Sequence, residues 1–286
     1  MESDVASWLD ETVAALAGAT RLAPSIGVVL GSGLAGFADR IKNAQRIPFA
    51  RLPHLAVPRT QGNPGNVCLG VVDDAAVMCL EGRSHLYEGY PSWQVVHGVR
   101  LMARLGVRAV LLTDAVTALD PTWTGGTMMV VKDHLDLLGG EPLASPGVDG
   151  TFAPAAGLVV PYDADLGEAL HDAARSESLL SSRIGKPEIV LRDGVYAAVR
   201  DPSCLTAAQG GMLRALGASV VGTTIVPEVA ALRPLGVRLA GLAYVVAPEP
   251  PPGRGPERPE QELERRSAQA RFDRVVRGWI LRAHRS

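Results

Sequence analysis

Residues 26–36 read Ile26-Gly27-Val28-Val29-Leu30-Gly31-Ser32-Gly33-Leu34-Ala35-Gly36, and the fold turns on them. Ile26 to Leu30 is a short apolar run bounded by turn residues, the pattern of a strand buried on both faces. The glycines that follow match G-x-G-x-x-G, in which backbone amides cradle a pyrophosphate at the start of a helix. A dinucleotide site also wants an acidic residue about 20 positions on, to hold a ribose. The stretch there is Arg51-Leu52-Pro53-His54-Leu55-Ala56, which offers none. The same turn, with the Ser32 hydroxyl exposed, suits a single phosphate held by amides and one side-chain donor. Taken alone, the segment also reads as a plain tight turn.

Outward from this strand, short runs rich in Val, Ile and Leu alternate with helical patterns. Further strands are expected at Val67–Val72, Ala75–Leu80, Val107–Thr113, Thr127–Val131, Ile189–Leu191 with Tyr196–Val199, Ser219–Thr224 and Val237–Val246, with Asp73-Asp74 as a hairpin turn. An amphipathic pattern of Val5, Trp8, Leu9, Val13 and Leu16 predicts an N-terminal helix. Ser92 is placed to cap a helix to about Leu105, another runs from Asp163 to about Glu177, and Thr206 caps one ending at Leu216 before Gly217. Near-continuous apolar strands separated by helices imply the α/β class: a mixed or largely parallel sheet covered on both faces, an α/β/α sandwich. The 286 residues have room for one large α/β domain or two small ones. No internal repeat or second domain is visible, so residues 1–286 are read as one domain. Residues 247–260 are too proline-rich for helix or strand and read as a loop. A terminal helix is expected from Gln261 to His284, with Leu263, Phe272, Val275, Val276, Trp279 and Ile280 as its apolar stripe.

Composition narrows the function classes. Hydrophobic residues at 47% against 20% charged exclude a disordered or fibrous chain. The 28 basic and 30 acidic side chains nearly cancel, leaving no global field to draw the chain to nucleic acid or anionic lipid. Cys68, Cys79 and Cys204 are widely spaced and lack any Cys-x-x-Cys or Cys/His ligand spacing, which fits a reduced, cytoplasmic protein with no metal site. The N-terminus lacks the basic and apolar regions of a signal peptide, and no apolar run approaches the roughly 18 residues a membrane span needs.

The chemistry-bearing segment is Glu81-Gly82-Arg83-Ser84-His85-Leu86-Tyr87-Glu88-Gly89-Tyr90, directly after the strand ending at Leu80. Arg83, His85 and Tyr87 alternate, so in an extended segment all three side chains lie on one side. A guanidinium, an imidazole and a phenol converging there suit a phosphate oxyanion beside a polyhydroxy group. Otherwise, Arg83 pairs with a local carboxylate and His85 and Tyr87 are its satisfied neighbours. His54, His97, His134, His171 and His284 show no ligand spacing and read as surface or core residues. Ser32 and His85 with some Asp could be drawn as a hydrolase triad, yet no G-x-S-x-G elbow is present.

Together these segments resemble purine nucleoside phosphorylases of the trimeric type over roughly residues 24–247. The resemblance rests on Val28–Leu34, Gly62-Asn63-Pro64-Gly65, Gly82–Gly89, Thr113-Asp114-Ala115, Asp193-Gly194-Val195-Tyr196, Pro202-Ser203 and Val221–Glu228 in order. It implies a nucleoside-phosphorylase-like α/β/α sandwich with a central mixed β-sheet. It also implies a homotrimer and a reaction in which phosphate, as co-substrate, attacks the anomeric carbon of a small nucleoside, with no cofactor. The family's phosphate ligands fall on Ser32, Asn63, Arg83, His85, Val116 and Thr224, where Asn63 replaces a histidine and Val116 stands for a backbone amide. Ser32, Arg83 and His85 would be the catalytic set, and Tyr87 would pack on the sugar.

The purine half departs from the pattern. The family's carboxylate to the purine ring falls on Leu205 and its stacking aromatic on Cys204. Its hydrogen-bonding asparagine falls on Ala247, its methionine beside the sugar on Thr223, and an asparagine on Asp114. Removing one preorganised donor to developing charge typically costs about 100- to 1,000-fold in rate, so the pattern implies an altered base specificity. The leading expectation is a phosphate-dependent glycosyl cleavage or transfer whose leaving group is more apolar than a purine. Two competing readings remain: the fold recruited for a cyclisation or lyase-type step on a non-nucleoside apolar ligand, and a non-catalytic subunit.

Overall fold

The structure is a computed structural model in which residues 2–17, 22–139, 160–182, 188–246 and 259–286 are described. Among them, the strands are β1 (Ile26–Val29), β2 (Lys42–Pro48), β3 (Asn66–Val72), β4 (Ala75–Glu81), β5 (Ala109–Ala118), β6 (Met128–Leu137), β7 (Leu191–Val199), β8 (Val220–Gly222) and β9 (Arg238–Val245). The helices are α1 (Glu2–Ala17), α2 (Ser92–Val95), α3 (His97–Arg104), α4 (Ala164–Ser182), α5 (Ala207–Ala215), α6 (Ile225–Leu232) and α7 (Pro259–Ala283).

The strands form one mixed sheet in the order β2-β3-β4-β1-β5-β8-β7-β6-β9, and β9 also pairs with β5. That second pairing closes β5, β8, β7, β6 and β9 into a ring. Alternation along the central strands feeds two cores. Val29 of β1 and Leu239, Ala243 and Val245 of β9 pack with α3 and α6 through Val99, Met102, Ile225 and Val229. Ile26 and Val28, with Ala240 and Leu242, pack on the other face with α4 and α7 through Leu166, Leu170, Phe272 and Trp279. The expected α/β/α sandwich with a mixed sheet is therefore the observed architecture.

One feature of the sheet positions the site. β5 runs parallel to β1 from Ala109 to Leu112 and antiparallel to β8 only from Thr117 onward. On its other edge it stays paired with β9 from Ala109 to Val116. Residues 113–116 thus lie where β1 has ended and β8 has not begun, a seam between diverging strands that backbone ladders leave open.

Several local expectations are corrected. β2 was not anticipated: its exposed, polar sequence Lys42-Asn43-Ala44-Gln45-Arg46-Ile47-Pro48 shows no apolar alternation, because it is an edge strand on β3. The helix expected from Ser92 breaks at Val96 into α2 and α3, and Pro91 rather than Ser92 occupies the cap. β7 is continuous through Arg192-Asp193-Gly194, and Thr224 leaves the strand to start α6. Thr206 does cap α5, in a reciprocal box with Gln209, and the Asp73 turn joins β3 to β4 with Asp73 at φ 53°. The terminal helix begins at Pro259 and ends at Ala283. Residues 247–258, including Ala247 and most of the expected loop, lie outside the described residues.

Candidate active site

The site begins at the end of β1. Gly31 N–H donates to Thr113 Oγ1 (3.1 Å), which itself donates to Val29 O (2.9 Å), so β1 is tied to β5 at the seam. A Cβ on Gly31 would lie 2.9 Å from the Asp114 and Ala115 backbone, which explains why this position takes glycine. Gly33 sits at φ 76° and donates to Gly62 O (3.1 Å), which places the Ser32 turn against the 62–65 loop.

From Ser32 a chain of hydrogen bonds, with one ion-pair contact in it, runs across the site. Asn63 Nδ2 donates to Ser32 Oγ (2.9 Å), and Asn63 Oδ1 accepts from the Arg83 amide (3.2 Å). Gly82 permits this approach, since a Cβ there would meet Asn63 at 2.6 Å. The Arg83 guanidinium forks onto Glu228 of α6 with two bonds of 2.9 Å and donates to Thr113 O (2.5 Å). Asp114 Oδ1 stands 3.8 Å from Arg83 Nη1. Tyr196 of β7 donates to Asp114 Oδ2 (2.6 Å) and accepts from Thr224 N–H (3.1 Å) at the start of α6. Ser32, Asn63, Arg83 and Thr224 are therefore joined by one network that spans the seam.

Arg83 is only 4% exposed, Asp114 5% and Glu228 2%. Burial pushes the Glu228 carboxyl up to about 7 against the opposing pull of Arg83, and it raises the Tyr196 phenol well above its ordinary value. Within this network Thr224 Oγ1 is buried and has no hydrogen-bond partner. A buried hydroxyl without a partner costs about 1 to 3 kcal/mol, so its presence at the seam marks a place for a polar group.

His85 continues from Arg83, but the segment is not extended through Tyr87. Residues 86–88 form a single tight helical turn, and Tyr87 stacks on the His85 ring with centroids 4.7 Å apart. Glu88 Oε1 accepts from the His85 amide (2.9 Å) and contacts its Nδ1 (2.5 Å). A carboxylate acceptor assigns the proton to Nδ1, and burial lowers the ring's pKa, so the neutral imidazole presents Nε2 as an acceptor. Tyr87 OH lies 3.3 Å from Thr60 Oγ1 and remains partly exposed.

Of the two readings of Arg83 offered by the sequence, pairing with a carboxylate is what is seen, though the partner is Glu228 from a distant helix. Val116 is buried in β5, where its carbonyl accepts from Val246 N–H (3.0 Å). Thr223 Oγ1 donates to Arg200 O (3.2 Å). Cys204 is exposed in the 202–204 turn, close to Asp201. Leu205 packs against the small apolar cluster of Leu119, Ala197, Leu213, Ala218 and Val221. Sequence reasoning missed Tyr196 and Glu228 as parts of the network. Glu228 carried a signal, a lone acid inside the otherwise apolar Ile225-Val226-Pro227-Glu228-Val229-Ala230-Ala231-Leu232. Among the described residues, no group of three or more His, Cys, Asp or Glu is placed to hold a metal ion, and no helix is long and apolar enough to cross a membrane.

Residues 25–280 match the phosphorylase superfamily. The purine nucleoside phosphorylase 1 of Bacillus subtilis (strain 168) is 34% identical over 223 residues, 78% of each chain. The purine nucleoside phosphorylase of Bos taurus is 32% identical, covering 85% of this chain and 80% of its own. A crystal structure of a schistosoma purine nucleoside phosphorylase in complex with hypoxanthine superposes with a TM-score of 0.73 at 26% identity, over 94% of this chain and 96% of that one.

Proposed function

The chain belongs to the phosphorylase superfamily, and on that premise we propose that it uses phosphate to cleave or transfer the glycosyl bond of a nucleoside-like small molecule. The observation that carries this reading is the unpartnered, buried Thr224 Oγ1 at the end of a path that runs by hydrogen bonds from Ser32 to Arg83, by a 3.8 Å ion-pair contact to Asp114, and by Tyr196 to Thr224. Ser32, Asn63, Arg83, His85, Thr224 and the Val116 backbone hold the anion. Ser32, Arg83 and His85 orient it toward the anomeric carbon by position and charge. The neutral His85 accepts a hydrogen bond from a protonated phosphate oxygen, and Tyr87 covers the sugar. Phosphate is a co-substrate and no cofactor takes part.

The base side is proposed to differ from that of the purine nucleoside phosphorylases the chain resembles. Leu205 in its apolar cluster, with Cys204, Thr223 and Ala247, supplies no carboxylate to a purine ring. A polar purine edge left without partners costs about 1 to 3 kcal/mol per group. The leaving group is therefore a more apolar or intrinsically better one than a purine. The working form is a cytoplasmic homotrimer of single-domain chains.

The test is release of aglycone with and without inorganic phosphate, for inosine, guanosine and a set of ribosides with apolar leaving groups. Cleavage should require phosphate, and an apolar riboside should exceed inosine by about 100-fold or more in kcat/KM. Phosphate-independent cleavage overturns the nucleophile; inosine turnover equal to the best riboside overturns the base pocket. Light scattering at three times the chain mass checks the trimer.

A further inference from the structure

At the seam two buried carboxylates, Asp114 and Glu228, face one guanidinium, Arg83, so this cluster carries an excess of negative charge where an anion is to bind. We infer that Asp114 is a charge-setting positioning residue that makes anion binding depend on proton uptake at Glu228, its neighbour across Arg83. This inference rests on the anion-pocket reading above. Three observations support it. The Glu228 fork and Thr113 O take three of the five N–H groups of Arg83, so an incoming anion meets the guanidinium through the remaining N–H of Nη1 and Nη2, beside the Glu228 and Asp114 carboxylates. Asp114 is held back from Arg83, at 3.8 Å, by the hydrogen bond from Tyr196 to its other oxygen. Tyr196 also accepts from the Thr224 amide, so one phenol ties the carboxylate to the start of α6.

The charged and titratable groups facing Asp114 are Arg83, His85 and Tyr87 from the segment after β4, Tyr196 from β7 and Glu228 from α6. Glu88 acts on the same pocket through His85. Burial already pushes Glu228 up to about 7, so one proton is within reach near neutrality. A dianion entering the pocket raises that proton affinity further, and solvent supplies the proton. The sign follows: lower pH leaves fewer carboxylate charges and tighter anion binding.

Inorganic sulfate is the probe, because it stays a dianion from pH 6 to 8 and so reports the protein's protons alone; inorganic phosphate is the second arm. Isothermal titration of the full chain should show sulfate binding weakening by about tenfold from pH 6 to pH 8, the limit for one linked proton across a group titrating near the middle of that range. Asp114→Asn keeps an acceptor for Tyr196 but removes the charge. It should bind sulfate at least about tenfold tighter than the parent at pH 8, since a unit charge some 6 Å from a dianion is worth that much or more at an effective dielectric near 20. Tyr196→Phe releases Asp114 toward Arg83 and should weaken binding, the opposite direction. Asp114→Asn no tighter than the parent, or a flat parental sulfate profile, overturns the inference while leaving the anion pocket standing. Failure of both sulfate and phosphate to bind parent and variant overturns the pocket and the inference together. Should Asp114→Asn not fold, the parental profile and Tyr196→Phe decide.

Discussion

His97 shows how a single side chain sets a pH window. Its Nε2 meets Thr12 Oγ1 at 2.8 Å, and that hydroxyl is within reach of Pro53 O at 2.9 Å and Trp8 O at 2.8 Å. The hydroxyl has one hydrogen to give to a carbonyl, so it accepts from Nε2–H and leaves the buried Nδ1 without a partner. The ring is thus held neutral, and burial lowers its pKa to about 4, with His54 and Arg100 adding repulsion. The unfolded chain takes up this proton below about 6.5 and the folded one refuses it. Stability from His97 is therefore full above about pH 6.5 and declines as pH falls toward 4, by roughly 2 to 3 kcal/mol, the work of keeping one proton out across that interval. Glu228 works the other way: raised to about 7 in the fold, it holds a proton the unfolded chain has lost, so its contribution falls as pH rises from about 4.5 to 7. In His97→Gln the first slope disappears and the second remains. The melting temperature of the variant relative to the parent should be higher at pH 5 than at pH 7; an unchanged difference between the two pH values refutes the assignment. Neither group's role was readable beforehand. Sequence could say only that His97 lacks ligand spacing, because its state is fixed by Thr12 and Pro53, which lie far from it along the chain.

At the scale of elements, β8 is the shortest strand described and the one on which the site depends most. Its last residue, Gly222, has no room for a side chain: a Cβ would collide with the Tyr196 phenol and press on Asp114. Gly222→Ala should push Tyr196 off Asp114 and Thr224 and lower sulfate affinity at pH 6 at least tenfold, at a stability cost of about 1 to 3 kcal/mol from overpacking. Titration of a variant that retains its circular dichroism measures this, and unchanged affinity would show that the Tyr196 bridge does not position the site. Elements whose local signals agreed with their surroundings were legible in the sequence. β1, β3, β4 and β9 are apolar runs with turns at their ends, and α5 announces itself with Thr206 and Gln209. β2 was not legible, because an exposed edge needs no apolar face and ends in Pro48. The break at Val96 was hidden too, since α2 and α3 share one continuous sequence pattern. In the candidate site the motif residues Ser32, Asn63, Arg83 and Thr224 stood out in the sequence; Asp114 stood out only as a departure from an asparagine and Glu228 only as an acid in an apolar run, neither as a partner of Arg83. Pairing of charges is a property of three-dimensional distance, and 145 positions separate Arg83 from Glu228.

For the molecule as a whole, α7 fastens the sheet from one side. Trp279 is fully buried between α4 and the strands, and its Nε1–H donates to Leu166 O at 3.0 Å. Trp279→Ala removes the largest fully buried side chain among the described residues and its bond to Leu166 O, so it should cost about 3 to 5 kcal/mol. A urea midpoint within error of the parent's would mean that the helix is not part of the cooperative fold. On the opposite face α3 and α6 carry Val99 and Val229 into the other core, and α6 also delivers Glu228, so anchoring and chemistry share one helix. The seam in β5 has a mechanical meaning. β1 and β4 belong to one wing of the sheet and β8 and β7 to the other, and at residues 113–116 only β9, on the far edge, continues past the join. Side chains from both wings meet across that opening, so whatever fills it works as a stitch. Along the line that the backbone itself leaves unsewn, the Arg83 fork onto Glu228 is the thread already in place between the two wings.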